Sequence, residues 1–96
     1  MVKTEPFDAA RYLTSPGSQE ELLNDALSSG NAGYVAHALG VIARARGMTD
    51  VARAAGVTRE ALYKALSNDG DPRLTTLLGV ARALGVTLTA HIEPAA

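Results

Sequence analysis

The chain has 96 residues, no cysteine and a formal net charge of −1, which leaves room for one core and excludes two self-sufficient ones. Without thiols it has no disulfide framework, thiolate zinc cluster or cysteine nucleophile, and no apolar run approaches the roughly 18 residues of a membrane span. Hydrophobic residues make up 47% of the chain but aromatics only 4%, and a core drawn mainly from Ala and Leu favours closely approaching helices over a β-sandwich.

The start, Met1 to Asp8, lacks the apolar core of a secretory signal, so a cytoplasmic protein is expected. Residues 1–17 read as an N-terminal arm or short helical turn that holds Phe7, Tyr12 and Leu13 and closes on Ser15-Pro16-Gly17. Residues 18–96 read as one domain. Ser18 and Glu21 have capping-box spacing before an apolar face of Leu22, Leu23, Ala26 and Leu27, and Gly30 ends that helix. Asn31 is placed to cap a second helix, with Val35, Ala38, Leu39, Ile42 and Ala45 at spacings of three and four and Gly47 as its stop.

Two short helices follow almost without a break. Thr49 is the expected cap of one that runs through Val51, Ala52 and Ala55 to Gly56, and Thr58 of one from Arg59 to about Leu66. After the turn-forming run Ser67 to Pro72, the stripe Leu74, Leu77, Leu78, Ala81 and Leu84 predicts a longer helix ending at Gly85. Residues 86–92 alternate with period two and predict a single β-strand. Val51 to Thr58 and Val80 to Thr87 echo one another, so both are expected to be helix ends closed by a left-handed Gly with the next Val packed back.

Charge divides along the same chain. Residues 1–40 hold Lys3 and Arg11 against Glu5, Asp8, Glu20, Glu21 and Asp25, a balance of −3, whereas residues 41–85 hold seven cations against four carboxylates, a balance of +3. Residues 49–66 have the outline of a helix-turn-helix: short helix, Gly-containing turn, short helix. At about 100° per residue, Arg59, Glu60, Tyr63 and Lys64 fall on one side of the second helix, and Ala61, Leu62, Ala65 and Leu66 on the other. The polar side suits DNA bases: Arg and Lys donate to guanine, Glu accepts from cytosine, and Tyr reaches phosphate or a thymine methyl. Thr49, Arg53, Thr58, Ser67 and Asn68 are the candidate phosphate contacts. An ordinary solvated face would carry similar charges.

Ala52-x-x-x-Gly56-Val57-Thr58, with Leu62 as the buried position, resembles the helix-turn-helix of the Cro and phage-repressor superfamily. A narrower resemblance, to the HigA-type addiction-module antidotes, rests on Pro6 to Leu13, Ala36 to Met48 and Arg59-Glu60-Ala61-Leu62-Tyr63-Lys64-Ala65-Leu66-Ser67. It implies an all-α, five-helix, lambda-repressor-like helix-turn-helix domain with a short C-terminal β-strand. In function it implies an antitoxin of a type II toxin–antitoxin module that neutralises a RelE/ParE-like toxin and represses its own operon on double-stranded operator DNA, usually as a homodimer. Such a protein is cytoplasmic and nucleoid-associated when bound to DNA. The alternatives are a stand-alone prophage-type repressor, or the same fold used only for protein contacts.

The acidic N-terminal half is the candidate toxin surface, with Asp8, Glu20, Glu21 and Asp25 for steering and Phe7, Tyr12 and Leu13 as apolar anchors. The same aromatics would equally serve as a staple to the core. A lone strand leaves its backbone unpaired, so Val86, Leu88, Ala90 and Ile92 are the candidate dimerisation residues, in an antiparallel ribbon that would set two recognition helices roughly 34 Å apart. His37 and His91 have no carboxylate or thiol at ligand spacing and the glycines match no phosphate loop, so no enzyme, metal, cofactor or small-molecule substrate is expected.

Overall fold

The computed structural model describes residues 15–95. They form five α-helices: α1 (Pro16–Ser29), α2 (Ala32–Arg46), α3 (Met48–Ala55), α4 (Arg59–Ala65) and α5 (Leu74–Ala83). Phe7, Asp8, Tyr12 and Leu13 lie outside the described residues.

Helix α1 starts earlier than its expected capping box. Ser15 is the N-cap, its hydroxyl accepting from the Ser18 N–H at 3.2 Å, and Pro16 opens the helix. Proline suits this place because its fixed φ is already helical and the N–H it lacks would have gone unpaired. Ser18 therefore sits inside the first turn and donates its hydroxyl to the Ser15 carbonyl at 3.0 Å, with Glu21 a turn further along. The expected Ser-Pro-Gly turn is thus a helix start. Gly30, at φ 69°, ends α1, and the Asn31 side chain caps α2 by accepting from the Tyr34 N–H at 2.9 Å, as its position predicts.

Helix α2 is the centre of the molecule. Beyond the expected Ala38, Leu39 and Ile42, it buries Ala36, Gly40, Val41 and Ala43, while Val35 and Ala45 are half-buried. A helix packed on several sides has no polar stripe, so a single 3.6-residue face understates its burial. Gly47, at φ 114°, is the whole link between α2 and α3 and serves as the end of one and the N-cap of the other. Thr49, expected to cap α3, is instead a helical residue of its first turn, because a one-residue link leaves the capping position to Gly47.

The sequence echo is the same physical device used twice. The Gly56 N–H reaches the Arg53 carbonyl at 3.2 Å and the Val57 N–H reaches Ala52 at 3.0 Å; the Gly85 N–H reaches Arg82 at 3.1 Å and the Val86 N–H reaches Ala81 at 2.8 Å. Both are Schellman closures with the glycine left-handed, at φ 74° and 72°, and Val57 and Val86 pack back on the core.

Helix α5 packs against α3; its buried side is Leu77, Val80 and Ala81, continued by Leu84 at its C-cap. Two members of its expected stripe are exposed, Leu74 at 68% and Leu78 at 49%, because they lie about 60–100° round the helix from the centre of the buried face. Residues 86–92 form no strand among the described residues. A strand needs a neighbour to complete its ladder, and this chain supplies none beside it. Leu23, Ala26, Leu39, Ile42, Val51, Leu62, Val80 and Leu84 belong to one buried cluster to which every helix contributes.

Candidate nucleic-acid interface

Helix α4 is held by two side chains and by the glycines of α2. Leu62 is fully buried and Leu66 nearly so. A Cβ on Gly40 would lie 2.7 Å from the Leu66 carbonyl oxygen, and one on Gly33 would lie 2.6 Å from the carbonyl oxygen of Asn68. These glycines, two helical turns apart, let the end of α4 and its following loop rest directly on the α2 backbone. The orientation of α4 is thus set by backbone contact as well as by side-chain packing.

The opposite side of α4 is open. Arg59, Glu60, Tyr63 and Lys64 are all exposed, as expected. Ala61, expected to pack, is exposed with them, since it lies about 100° from Leu62 and only the Leu62–Leu66 edge meets the core. Thr58 caps the helix, its Oγ1 accepting from the Ala61 N–H at 3.1 Å, which leaves the hydroxyl proton for another acceptor.

Arg59 and Tyr63 are one turn apart and act together. The Arg59 Nη2 donates to the Tyr63 hydroxyl at 3.4 Å, and its guanidinium carbon stands 5.5 Å from the Tyr63 ring centroid. The hydrogen bond to Tyr63, first among the causes, pushes the Arg59 pKa above its ordinary value, and the neighbouring Glu60 carboxylate adds to it. Tyr63 thereby limits the orientations of a guanidinium fork whose value for base recognition is directional. Glu60 and Lys64 make no side-chain hydrogen bond or ion pair among the described residues.

The candidate phosphate contacts lie on α3 and at the two ends of α4. Thr49 and Arg53 are exposed one turn apart on α3, with Arg53 in a long 3.9 Å ion pair with Asp50. Exposed on both sides, that pair is weak and exchangeable. Ser67 donates its hydroxyl to the Lys64 carbonyl at 3.0 Å, and Asn68 is exposed in the loop that follows. Neither the Arg59–Tyr63 pair nor the Asp50–Arg53 pair is among the sequence expectations, although spacings of four and three on a helix are the signal that could have found them.

A second surface lies on α1, where Glu20, Glu21 and Asp25 are exposed. The Tyr34 hydroxyl donates to the Asp25 Oδ2 at 2.6 Å, and this bond, with some desolvation and the carboxylate charge, raises the Tyr34 pKa. No local spacing announces that contact, because it crosses the turn between α1 and α2. His37 is half-buried and His91 exposed; among the described residues no three His, Asp or Glu side chains are grouped to hold a metal ion.

Residues 3–92 match the model of a family described as "probable addiction module antidote protein". The chain belongs to this antidote family. A Haemophilus influenzae protein, described only as uncharacterized, is 46% identical to this antidote over 80 residues, covering 83% of this chain and 82% of the relative. No solved structure matches it. An antidote implies a toxin as its partner in general. No helix among the antidote's described residues is long and apolar enough to cross a membrane.

Proposed function

We propose that this antidote is a HigA-type antitoxin that binds and neutralises a RelE/ParE-like toxin and represses its own operon as a homodimer, with α3, the Gly56–Thr58 turn and α4 acting as a Cro-like helix-turn-helix. The observation that carries the DNA-binding part is α4: Leu62 and Leu66 anchor one edge, while Arg59, Glu60, Tyr63 and Lys64 are exposed together on the other. In this reading those four side chains meet base edges in the major groove, and Thr49, Arg53, Thr58, Ser67 and Asn68 fix the register on the phosphates. Glu20 and Glu21 on α1 attract the toxin, with Phe7, Asp8, Tyr12 and Leu13 completing the contact. Val86, Leu88, Ala90 and Ile92 join the two protomers. The protein works in the cytoplasm and on the nucleoid when bound to DNA.

The test is fluorescence anisotropy with DNA from upstream of its own gene. Specific, salt-sensitive binding is expected, with Arg59→Ala or Lys64→Ala losing about 1–3 kcal/mol where the side chain reads a base. Absence of specific binding at low salt refutes the repressor role and leaves the fold to protein contacts alone. The toxin role requires that a small basic protein encoded next to this gene co-purify with it.

A further inference from the structure

The segment that carries the proposed helix-turn-helix has no net charge. Residues 48–73 hold Arg53, Arg59, Lys64 and Arg73, balanced by Asp50, Glu60, Asp69 and Asp71. The excess of cations in residues 41–85 comes from Arg44, Arg46 and Arg82, which lie outside that segment. Attraction to phosphate is the part of DNA binding that ignores sequence, and a neutral segment has little of it. Affinity then depends on individual contacts, and a carboxylate on the reading face opposes binding wherever it meets no donor.

Glu60 is the carboxylate so placed. Asp50 is on α3, 3.9 Å from Arg53, and Asp69 and Asp71 follow α4 in the loop. On α4 itself Glu60 is exposed and near two cations, yet it pairs with neither among the described residues. Arg59 is turned instead to Tyr63, its Nη2 3.4 Å from the hydroxyl, and Lys64 stands at the four-residue spacing that favours a Glu–Lys pair without making one. Nor does Glu60 cap the helix, since Thr58 holds the Ala61 N–H. The seven residues of α4 rise about 10 Å, the height of roughly three stacked base pairs. Glu60 is the second of them, at the end of a recognition helix that meets base edges.

We infer that Glu60 sets the sequence preference of α4 by exclusion, accepting a cytosine amino group in the major groove and rejecting the other bases at that position. Guanine and thymine present only acceptors there, and the amino group of adenine lies beside the N7 acceptor. Cytosine alone offers a donor with no acceptor next to it on its own edge. This rests on the DNA-binding reading proposed above and deepens it, from a face that meets bases to a residue that refuses most of them. Glutamine has nearly the same shape but no charge, and its amide both donates and accepts. Glu60→Gln should therefore tolerate bases that the carboxylate repels, and should bind DNA of unrelated sequence more tightly.

The test is fluorescence anisotropy of the full chain, as wild type and Glu60→Gln, on duplexes of equal length. These are DNA from upstream of its own gene, the same DNA with each C·G pair replaced in turn by T·A, and a random sequence. Glu60 is exposed, and circular dichroism checks that the variant is folded. At one C·G pair, replacement should weaken wild type about fivefold or more and leave Glu60→Gln nearly unchanged. The variant should also hold the random duplex more tightly than wild type does. If both proteins lose equally at every replaced pair, Glu60 selects no base, and the inference fails while specific binding stands. If wild type does not separate upstream DNA from the random duplex, the DNA-binding reading and this inference fall together.

Discussion

Replacing Gly40 by Ala tests how α4 is held. In mid-helix, Gly→Ala alone stabilises by about 0.5–1 kcal/mol, through the lower entropy of the unfolded chain. Against this, the new Cβ would stand 2.7 Å from the Leu66 carbonyl oxygen and 3.4 Å from the Leu66 Cβ. A carbon–oxygen contact ordinarily begins near 3.3 Å, so α2 and the end of α4 must part by roughly half an ångström. Leu66 is itself buried and cannot yield without opening the core. Overpacking of this kind costs about 1–3 kcal/mol, for a net loss of up to about 2 kcal/mol. Gly17→Ala is the control: it is also helical, with nothing within 4 Å of its Cβ, and it should gain about 0.4–1 kcal/mol. Urea unfolding followed by far-UV circular dichroism, at one fixed protein concentration, reads both as midpoint shifts. The expected shifts have opposite signs. Equal stabilisation by the two substitutions would falsify the claim that α4 rests on the α2 backbone.

Leu62→Ala should cost about 2–5 kcal/mol in the same assay, since Leu62 is fully buried and α4 has few other anchors; a loss under about 1 kcal/mol would mean that α4 is not held by this side chain. Tyr63→Phe removes the hydroxyl that holds Arg59 but keeps the ring and the charge, so operator affinity should fall a few-fold with the salt dependence unchanged; an unaltered affinity shows that Arg59 needs no such support. Tyr34→Phe should lower stability at neutral pH by removing the bond to Asp25. The folded-state pKa of Tyr34 is raised above its ordinary 10.0, so its contribution is complete below that value and is lost as pH rises through the folded pKa. The gap between wild type and variant should therefore close in alkali, and a gap that persists there rules out the hydroxyl as its source.

Features whose physics is confined to a few neighbouring residues are legible in the sequence. Asn31 and Thr58 cap helices because a short polar side chain can satisfy an N–H two or three residues on. Gly56 and Gly85 close helices because the left-handed turn penalises a Cβ. The same locality makes the exposed face of α4 readable. It fails where two local signals compete: Ser15-Pro16 and Ser18 with Glu21 both describe a helix start, and the proline prevails.

Contacts between distant parts of the chain have no such signature. Leu74 and Leu78 match the buried spacing as well as Leu77 and Ala81, and only the angle at which α5 meets α3 separates them. Gly33 and Gly40 look like ordinary weak points in a helix until Asn68 and Leu66 arrive against them. Residues 86–92 have the composition of a strand, but a strand is a property of two segments, and one chain supplies only the first. Sequence alone determined the five helices, most of their ends and the polar residues exposed on α4, because these depend on neighbours along the backbone. Tertiary structure decided which apolar residues were left exposed and what holds α4 in place, because both depend on segments that meet only when the helices pack.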